Sequence, residues 1–341
     1  MQNVERRNRR YTERHMAEPE DLPKGRGRQL PFVRDHLTRA PFARTLRPIE
    51  RFGMVSLLRR PVSALAREAC RVIPQTLKRW TRRALGSEDR LPDTVQAELR
   101  RLGSAPRYTR LSSDLLGSPI EIVDGASFCA SYDEIFTRQL YAFRSPTGTP
   151  RIVDVGSNIG LSVLYFKARY PSSRIVAFEA DPVIFKILEA NVRRAGHDDV
   201  QLINRAVWRE DTGVEFRVEG ADAGRISRGP HDPLPDKVSV PAVRLRQYLT
   251  GHTDFLKLDI EGAETEVLLD CANLLGQVGN LFVEYHSFAG EEQRLDVLLG
   301  VLRTSGFRVY VQTQICPPQP LLERPLYLGM DLQLNVFATR D

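Results

Sequence analysis

From residue 151 onward the apolar positions alternate between two rhythms, and that alternation predicts the architecture. RIVDVG at 151–156 is a short continuous apolar run of the buried-strand kind, followed by a helical pattern over 159–169. RIVAFEA at 174–180 repeats the strand signal; Pro182 then opens a helix that runs to about Ala195 and closes at Gly196. VQLINRAV (200–207) is a third strand, and VEFRVEG (214–220) and KVSVPAVRL (237–245) are additional strands around a polar, Gly- and Pro-rich surface loop at 221–236. DFLKLDIEG (254–262) precedes a helix over 263–275, and NLFVEYH (280–286) precedes a helix over 291–306. FRVYVQTQ (307–314) and LQLNVFATR (332–340) close the chain as strands. The pattern predicts a doubly wound α/β domain with a mostly parallel sheet, helices on both faces, and one antiparallel edge pair from the two consecutive closing strands.

Upstream the rhythm weakens. Residues 1–48 hold no sustained period, and Pro19, Pro23, Pro31, Pro41 and Pro48 interrupt any helix, which predicts disorder. Residues 54–85 read as two or three short basic amphipathic helices with prolines in their first turns. The expected organisation is a basic Arg-rich extension (1–105), the α/β domain (151–341), and between them a transition segment (106–150) that packs on that domain. Within the transition, 120–125 reads as a strand, 145–150 as a breaker-rich loop, and 131–143 as a helix in which Tyr132, Ile135, Phe136, Leu140 and Phe143 recur at helical spacing.

Charge sharpens the division. The net charge of +6 conceals 26 Lys+Arg against 12 Asp+Glu in residues 1–110, and 23 against 31 in 111–341. A basic leader can contact a membrane surface peripherally or touch nucleic acid. Charge runs are non-specific, however, and the aromatic interleaving that single-strand binding needs is sparse, so a solvated extension, or one translated from an upstream start codon, is the favoured reading. No window has eighteen uninterrupted apolar residues, which argues against a membrane-spanning helix, and no secretory signal is legible. Cys70, Cys129, Cys271 and Cys316 form no CxxC pair, so neither a disulfide framework nor structural zinc is indicated; reduced thiols in a cytoplasmic protein fit best.

In an open parallel sheet, ligands bind beyond the carboxyl ends of the strands, where strand order reverses. Strand-closing residues are therefore the candidates. In DVGSNIG (154–160), Gly156 and Gly160 permit a tight turn and a close ligand approach, and the next helix offers free N–H groups. Ser157 and Asn158 separate the glycines and the middle Gly of a dinucleotide fingerprint is absent, which argues against a nicotinamide or flavin pyrophosphate. Asp154 beneath the turn suits a cationic ligand. Glu179 follows Asp154 by 25 residues, close to the offset of an acid that accepts from both ribose hydroxyls. LDIEG supplies Asp259 and Glu261, and VEYH supplies Glu284 and His286, at the next two strand ends. His286 is the first choice for a general base, since imidazole titrates near neutral pH, the alternative being a solvated or capping histidine. Asp259, Glu261 and Glu284 carry oxygen donors that suit Mg2+, but without stricter ligand spacing the favoured reading has them accepting from loop N–H groups. Lys257 snorkels outward with no assigned role, and Trp208 packs in the sheet in preference to stacking on adenine.

DVGSNIG, FEADPVIFKILEANV with Glu179 and Asn191, NRAVW with Ala206 and Val207, and FLKLDIEGAE at 255–264 together resemble the FkbM family of methyltransferases over about residues 120–340. Ser157 stands where the family often has Ala. The resemblance implies a class I, Rossmann-like methyltransferase fold whose seven-stranded sheet has an antiparallel last strand. It implies S-adenosylmethionine as cofactor, with Asp154, Gly156, Asn158, Gly160, Glu179, Ala206 and Asp259 as its candidate contacts. It also implies O-methylation of a hydroxyl on a sugar, polyketide or other small metabolite, with His286, Asp259 and Glu284 as catalytic candidates. An alcohol is a weak nucleophile near neutral pH, so a base or a metal is expected to assist. A second reading has the leader docking RNA for ribose methylation; DIEG in place of an NPPY- or DPPY-type motif disfavours base N-methylation. A third is a fold that binds the cofactor without transferring methyl.

Overall fold

The structure is a computed structural model that describes residues 91–340 except 219, 222–223 and 228–235. The expected disorder at 1–48, the basic helices at 54–85 and most of the loop at 221–236 lie outside the described residues. In chain order the elements begin with α1 (Asp93–Gly103), β1 (Leu111–Ser113), β2 (Ile120–Ile122) and α2 (Gly125–Tyr132). Next come β3 (Arg151–Val155), α3 (Leu161–Arg169), β4 (Arg174–Glu179), α4 (Pro182–Arg194) and β5 (Gln201–Asn204). They are followed by β6 (Ala206–Trp208), β7 (Gly213–Val218), β8 (Arg225–Ile226) and β9 (Asp236–Arg244). The chain closes with β10 (Thr253–Leu258), α5 (Glu264–Cys271), β11 (Val278–Phe288), α6 (Leu295–Thr304), β12 (Arg308–Ile315) and β13 (Met330–Thr339).

Seven strands pair in the order β12-β13-β11-β10-β3-β4-β5. All are parallel except β13, which runs antiparallel to β11 and β12. The last strand is thus antiparallel as expected, but it inserts inside the sheet and leaves β12 at the edge. Neighbouring residues of one strand feed opposite cores, as the period of two requires. Ile152, Phe255 and Phe282 pack with Phe166 of α3 and Leu188 of α4 on one face. Val153, Leu256 and Leu281 pack with Leu268 of α5 and Leu298 of α6 on the other. Burial on both faces is why every residue of β10 is buried, the polar Thr253, Asp254 and Lys257 included. Strand order reverses between β3 and β10, so the crevice at their carboxyl ends is the ligand position for this topology.

Three expectations change. The strand over 200–207 breaks at Arg205: β5 closes the main sheet, while β6 pairs parallel with β9 in a second sheet ordered β6-β9-β7-β8. At the break the Asn204 amide donates to the carbonyls of Glu179 and Ala180 at the end of β4. The helix expected at 131–143 starts earlier, at Gly125, because the Asp124 carboxylate accepts from Ser127 N–H (2.9 Å) and caps it there. That helix passes into a π-helical turn over Asp133–Thr137 and stops before Gln139, whose φ is 55°. Residues 93–103, placed by the sequence in the basic extension, form α1, whose Leu102 is fully buried in the same core as Phe128 of α2. No helix among the described residues is long and apolar enough to cross a membrane.

Candidate functional site

A cavity of about 550 Å³ opens at the carboxyl ends of β3, β4, β10 and β11. Its first wall is the turn after β3. Gly156 and Ser157 donate their N–H groups to the Phe178 carbonyl, which ties the turn to β4. Gly156 has φ 82°, and a Cβ there would lie 1.8 Å from the Asp259 carbonyl oxygen, so the close approach of two strand ends demands glycine. Asn158, at φ 47°, accepts from Ile159 N–H with its own Oδ1 and donates Nδ2 to the Ala221 carbonyl. Its backbone N–H donates to Glu179 Oε2 at 2.9 Å, while Asp181 N–H donates to Oε1 at 2.9 Å. Burial pushes the Glu179 carboxyl up to about 7, against the pull of those two N–H groups.

Gly156, Asn158, Glu179, Ala206 and Asp259 all line this cavity. Asp154 and Gly160, expected from the sequence in contact with a ligand, are not among its lining residues. Gly160, at φ 99°, opens α3, and a Cβ there would meet Leu188 Cδ1 at 2.9 Å; it serves the packing of α3 on α4. Asp154 is fully buried and accepts from Ser162 Oγ at 2.5 Å. Its cation is the protein's own: Lys257 Nζ lies 3.7 Å from Asp154 Oδ1, 3.1 Å from Asp259 Oδ2 and 2.7 Å from the Gly156 carbonyl oxygen. Lys257 therefore does not snorkel outward; its buried ammonium pins three strand-end groups together. Burial disfavours that charge, but Asp259 and Asp154 outweigh it and the pKa rises above the ordinary lysine value. A charged residue inside the apolar run FLKL was the signal for this role.

The floor is acidic. Glu284 of β11 lines the cavity beside Asp259, and it accepts from the Gln333 amide of β13. Burial pushes its carboxyl well above the usual range, and Asp259 adds to the shift. Glu134, which accepts from the Gln314 amide, and Glu261 complete the acidic lining. His286 stands one layer back and lines a second, smaller cavity. Its Nδ1 lies 2.9 Å from Glu264 Oε1, and its Nε2 lies 3.6 Å from Glu261 Oε2. Burial opposes the imidazolium, yet Glu261 and Glu264 outweigh burial and raise the ring's pKa well above 6.5. The ring, expected from the sequence to act as general base, does not line the main cavity. Of the oxygen-only set expected for Mg2+, Asp259 and Glu284 each bring one ligand atom within 4.8 Å of the other and of a His286 nitrogen, and Glu261 Oε2 lies 3.6 Å from His286 Nε2.

Several roles escaped the sequence. Glu264 accepts from Ile260 N–H, Gly262 N–H and His286, and so fixes the loop after β10. Asn191 donates to the carbonyls of Glu121 and Ile159 and accepts from Glu121 N–H, which ties β2 to the cavity wall. Tyr327 and Leu328 line the cavity from the segment between β12 and β13. Trp208 lies outside the main cavity and packs beside Phe216 and Ala242 of the second sheet, in agreement with the favoured reading.

The model of the Methyltransferase FkbM domain family matches residues 154–309, the stretch from Asp154 through both acidic strand ends. Methyltransferase sdnD of Sordaria araneosa is 46% identical over 205 residues, covering 49% of this chain and 78% of sdnD. The 31-O-demethyl-FK506 methyltransferase FkbM of Streptomyces tacrolimicus is 23% identical over 253 residues, covering 63% of this chain and 92% of that protein. The crystal structure of methyltransferase FkbM from Methylobacillus flagellatus KT is 15% identical, covers 60% of this chain and 47% of its own, and has a TM-score of 0.39. With close to half of the aligned positions shared across most of one methyltransferase, and the family's domain spanning the strand-end groups of the cavity, this chain belongs to the FkbM family of methyltransferases.

Proposed function

We propose that the protein is an S-adenosylmethionine-dependent O-methyltransferase acting on a hydroxyl of a small metabolite. The observation that carries this reading is the continuity of one cavity from Glu179 to Asp259 and Glu284. At its first end each Glu179 oxygen takes one backbone N–H and keeps a lone pair for a ribose hydroxyl. Ala180, Asp181, Ile184, Ala206 and Val207 supply a mixed apolar and polar wall of the size an adenine ring fills. The turn of Gly156, Ser157 and Asn158 is the place for the amino-acid end of the cofactor. The cofactor, when bound, supplies an electrophilic methyl group; the protein's part is placement and electrostatics.

At the other end Asp259 and Glu284 face the same space and are the acceptors that meet the substrate hydroxyl. Lys257 holds Asp259 in position from below. The name of the Streptomyces relative specifies an O-methylation, which supports oxygen as the methylated atom. The free thiols of Cys129, Cys271 and Cys316 suit a reducing compartment such as the cytoplasm.

Calorimetry with S-adenosylhomocysteine tests the first end, with Glu179→Ala as control. Transfer of labelled methyl from S-adenosylmethionine to a panel of hydroxylated sugars and polyketides tests the second. Saturable heat lost in the variant, and base-stable label on oxygen, is the expected result. Folded protein that gives no heat refutes the cofactor assignment, and label found solely on nitrogen refutes O-methylation.

A further inference from the structure

We propose that Asp259, Glu284 and His286 form a binding site for one divalent first-row transition-metal cation, of the class represented by Mn2+. The three residues come from adjacent parallel strands: Asp259 follows β10, and Glu284 and His286 lie two apart on β11. One ligand atom from each lies within 4.8 Å of the other two. Ligands bonded at about 2.0–2.2 Å sit roughly 3–4.4 Å from each other, so a modest contraction closes the set around an ion.

The histidine carries the argument beyond an acidic cluster. Its ring is almost wholly buried, and Nε2 has no hydrogen-bond partner among the described residues. Nδ1 is taken by Glu264, itself buried and held by the N–H groups of Ile260 and Gly262. A carboxylate that fixes Nδ1 and leaves Nε2 aimed at other carboxylates is the arrangement by which proteins orient metal-binding histidines.

The imidazole decides the class of ion. Mg2+ and Ca2+ select oxygen ligands, whereas Mn2+, Fe2+ and Zn2+ accept imidazole beside carboxylates. Asp259 and Glu284 border the large cavity, so the ion's remaining positions open toward the acceptor. The site goes beyond the proposed methyl transfer, because the ion binds with or without cofactor.

The test uses the full chain stripped with chelator and titrated with Mn2+, with the free-ion electron paramagnetic resonance signal as readout. One ion per chain is expected, and pulsed spectra should show coupling to one imidazole nitrogen. Glu284→Gln and Asp259→Asn should each weaken binding at least about tenfold, and Glu264→Gln, which removes the support of the ring, about 10–100-fold. Circular dichroism identifies the folded variants. Absence of bound Mn2+, a bound ion without nitrogen coupling, or unchanged affinity in folded Glu284→Gln would overturn the proposal. Calorimetry with S-adenosylhomocysteine on the same metal-free sample keeps the two readings apart: heat there without Mn2+ binding sinks the metal site and leaves the methyltransferase reading standing.

Discussion

Replacing Glu179 by glutamine should flatten part of the protein's pH–stability profile. In the native state burial raises this carboxyl to about 7 from the 4.5 of an exposed glutamate. Below pH 4.5 both native and unfolded chains hold the proton, and the group contributes no difference. Between 4.5 and 7 the unfolded chain releases its proton while the native chain keeps it, so stability falls as pH rises. Above 7 both are ionised and the full penalty stands. A gap of roughly 2.5 units at about 1.36 kcal/mol each gives about 3 kcal/mol lost across that window. Glutamine has no such proton. It also presents an amide to Asn158 N–H or Asp181 N–H, a mismatch of about 1–3 kcal/mol, but that offset changes little with pH. The stability of Glu179→Gln relative to the parent should therefore climb by about 3 kcal/mol from pH 4.5 to 8. Urea unfolding at half-unit pH steps reads the difference directly, because other titrating groups cancel. A flat difference curve, or one that inflects near 4.5, refutes the claim that burial governs Glu179. Ribose hydroxyls favour the ionised carboxylate, so S-adenosylhomocysteine affinity in the parent should rise with pH between 6 and about 7.5 and stay low in the variant.

Lys257→Met leaves Asp154 and Asp259 without their buried cation and should cost about 3–5 kcal/mol by urea unfolding; adding Asp154→Asn should recover part of the loss, and strictly additive effects would count against the coupling. Gly156→Ala puts a Cβ against the Asp259 carbonyl at a positive φ and should lower the stability by more than about 3 kcal/mol, a melting-point drop of roughly 6–12 °C; an unchanged melting point would mean that the two strand ends do not meet. Glu284→Gln should lower kcat for methyl transfer about a hundredfold or more while S-adenosylhomocysteine affinity stays within a few-fold; a loss confined to cofactor affinity would move Glu284 to the other end of the cavity.

The main sheet was legible because a strand covered on both faces writes itself as a short, mostly apolar run, as IVDV of β3, IVAF of β4, FLKL of β10 and LFV of β11 do. The break at Arg205 was not, because the apolar pairs on either side of Asn204 and Arg205 read as one strand while the chain changes sheets. At the break the Asn204 side chain bonds to β4, a contact no local pattern encodes. The aromatic recurrence over 131–143 suggested one helix, yet Tyr141 reaches the core beyond the helix end and meets the Phe282 ring at 4.9 Å; apolar spacing reports burial, not backbone conformation. At the site, Gly156, Asn158, Glu179, Asp259 and Glu284 were legible from position alone, since topology delivers strand ends to one crevice.

Partner choice was the illegible part, and it obeys a physical rule. Asp154 reads as ligand-facing until β10 is laid beside β3, where the register sets Lys257 opposite it. That cation is 103 residues away in sequence but adjacent in the sheet, so the pair is a product of strand order. Distance in sequence likewise separates His286 from its partners, Glu261 in the loop after β10 and Glu264 at the start of α5. Asp154, compensated across the sheet before the strands end, is structural. Asp259 and Glu284 come directly after the last parallel pair of β10 and β11, Leu258 with Val283, and they meet the cavity. The boundary between scaffold and chemistry in this crevice is thus the final parallel pair of the central strands, and residue type alone does not locate it.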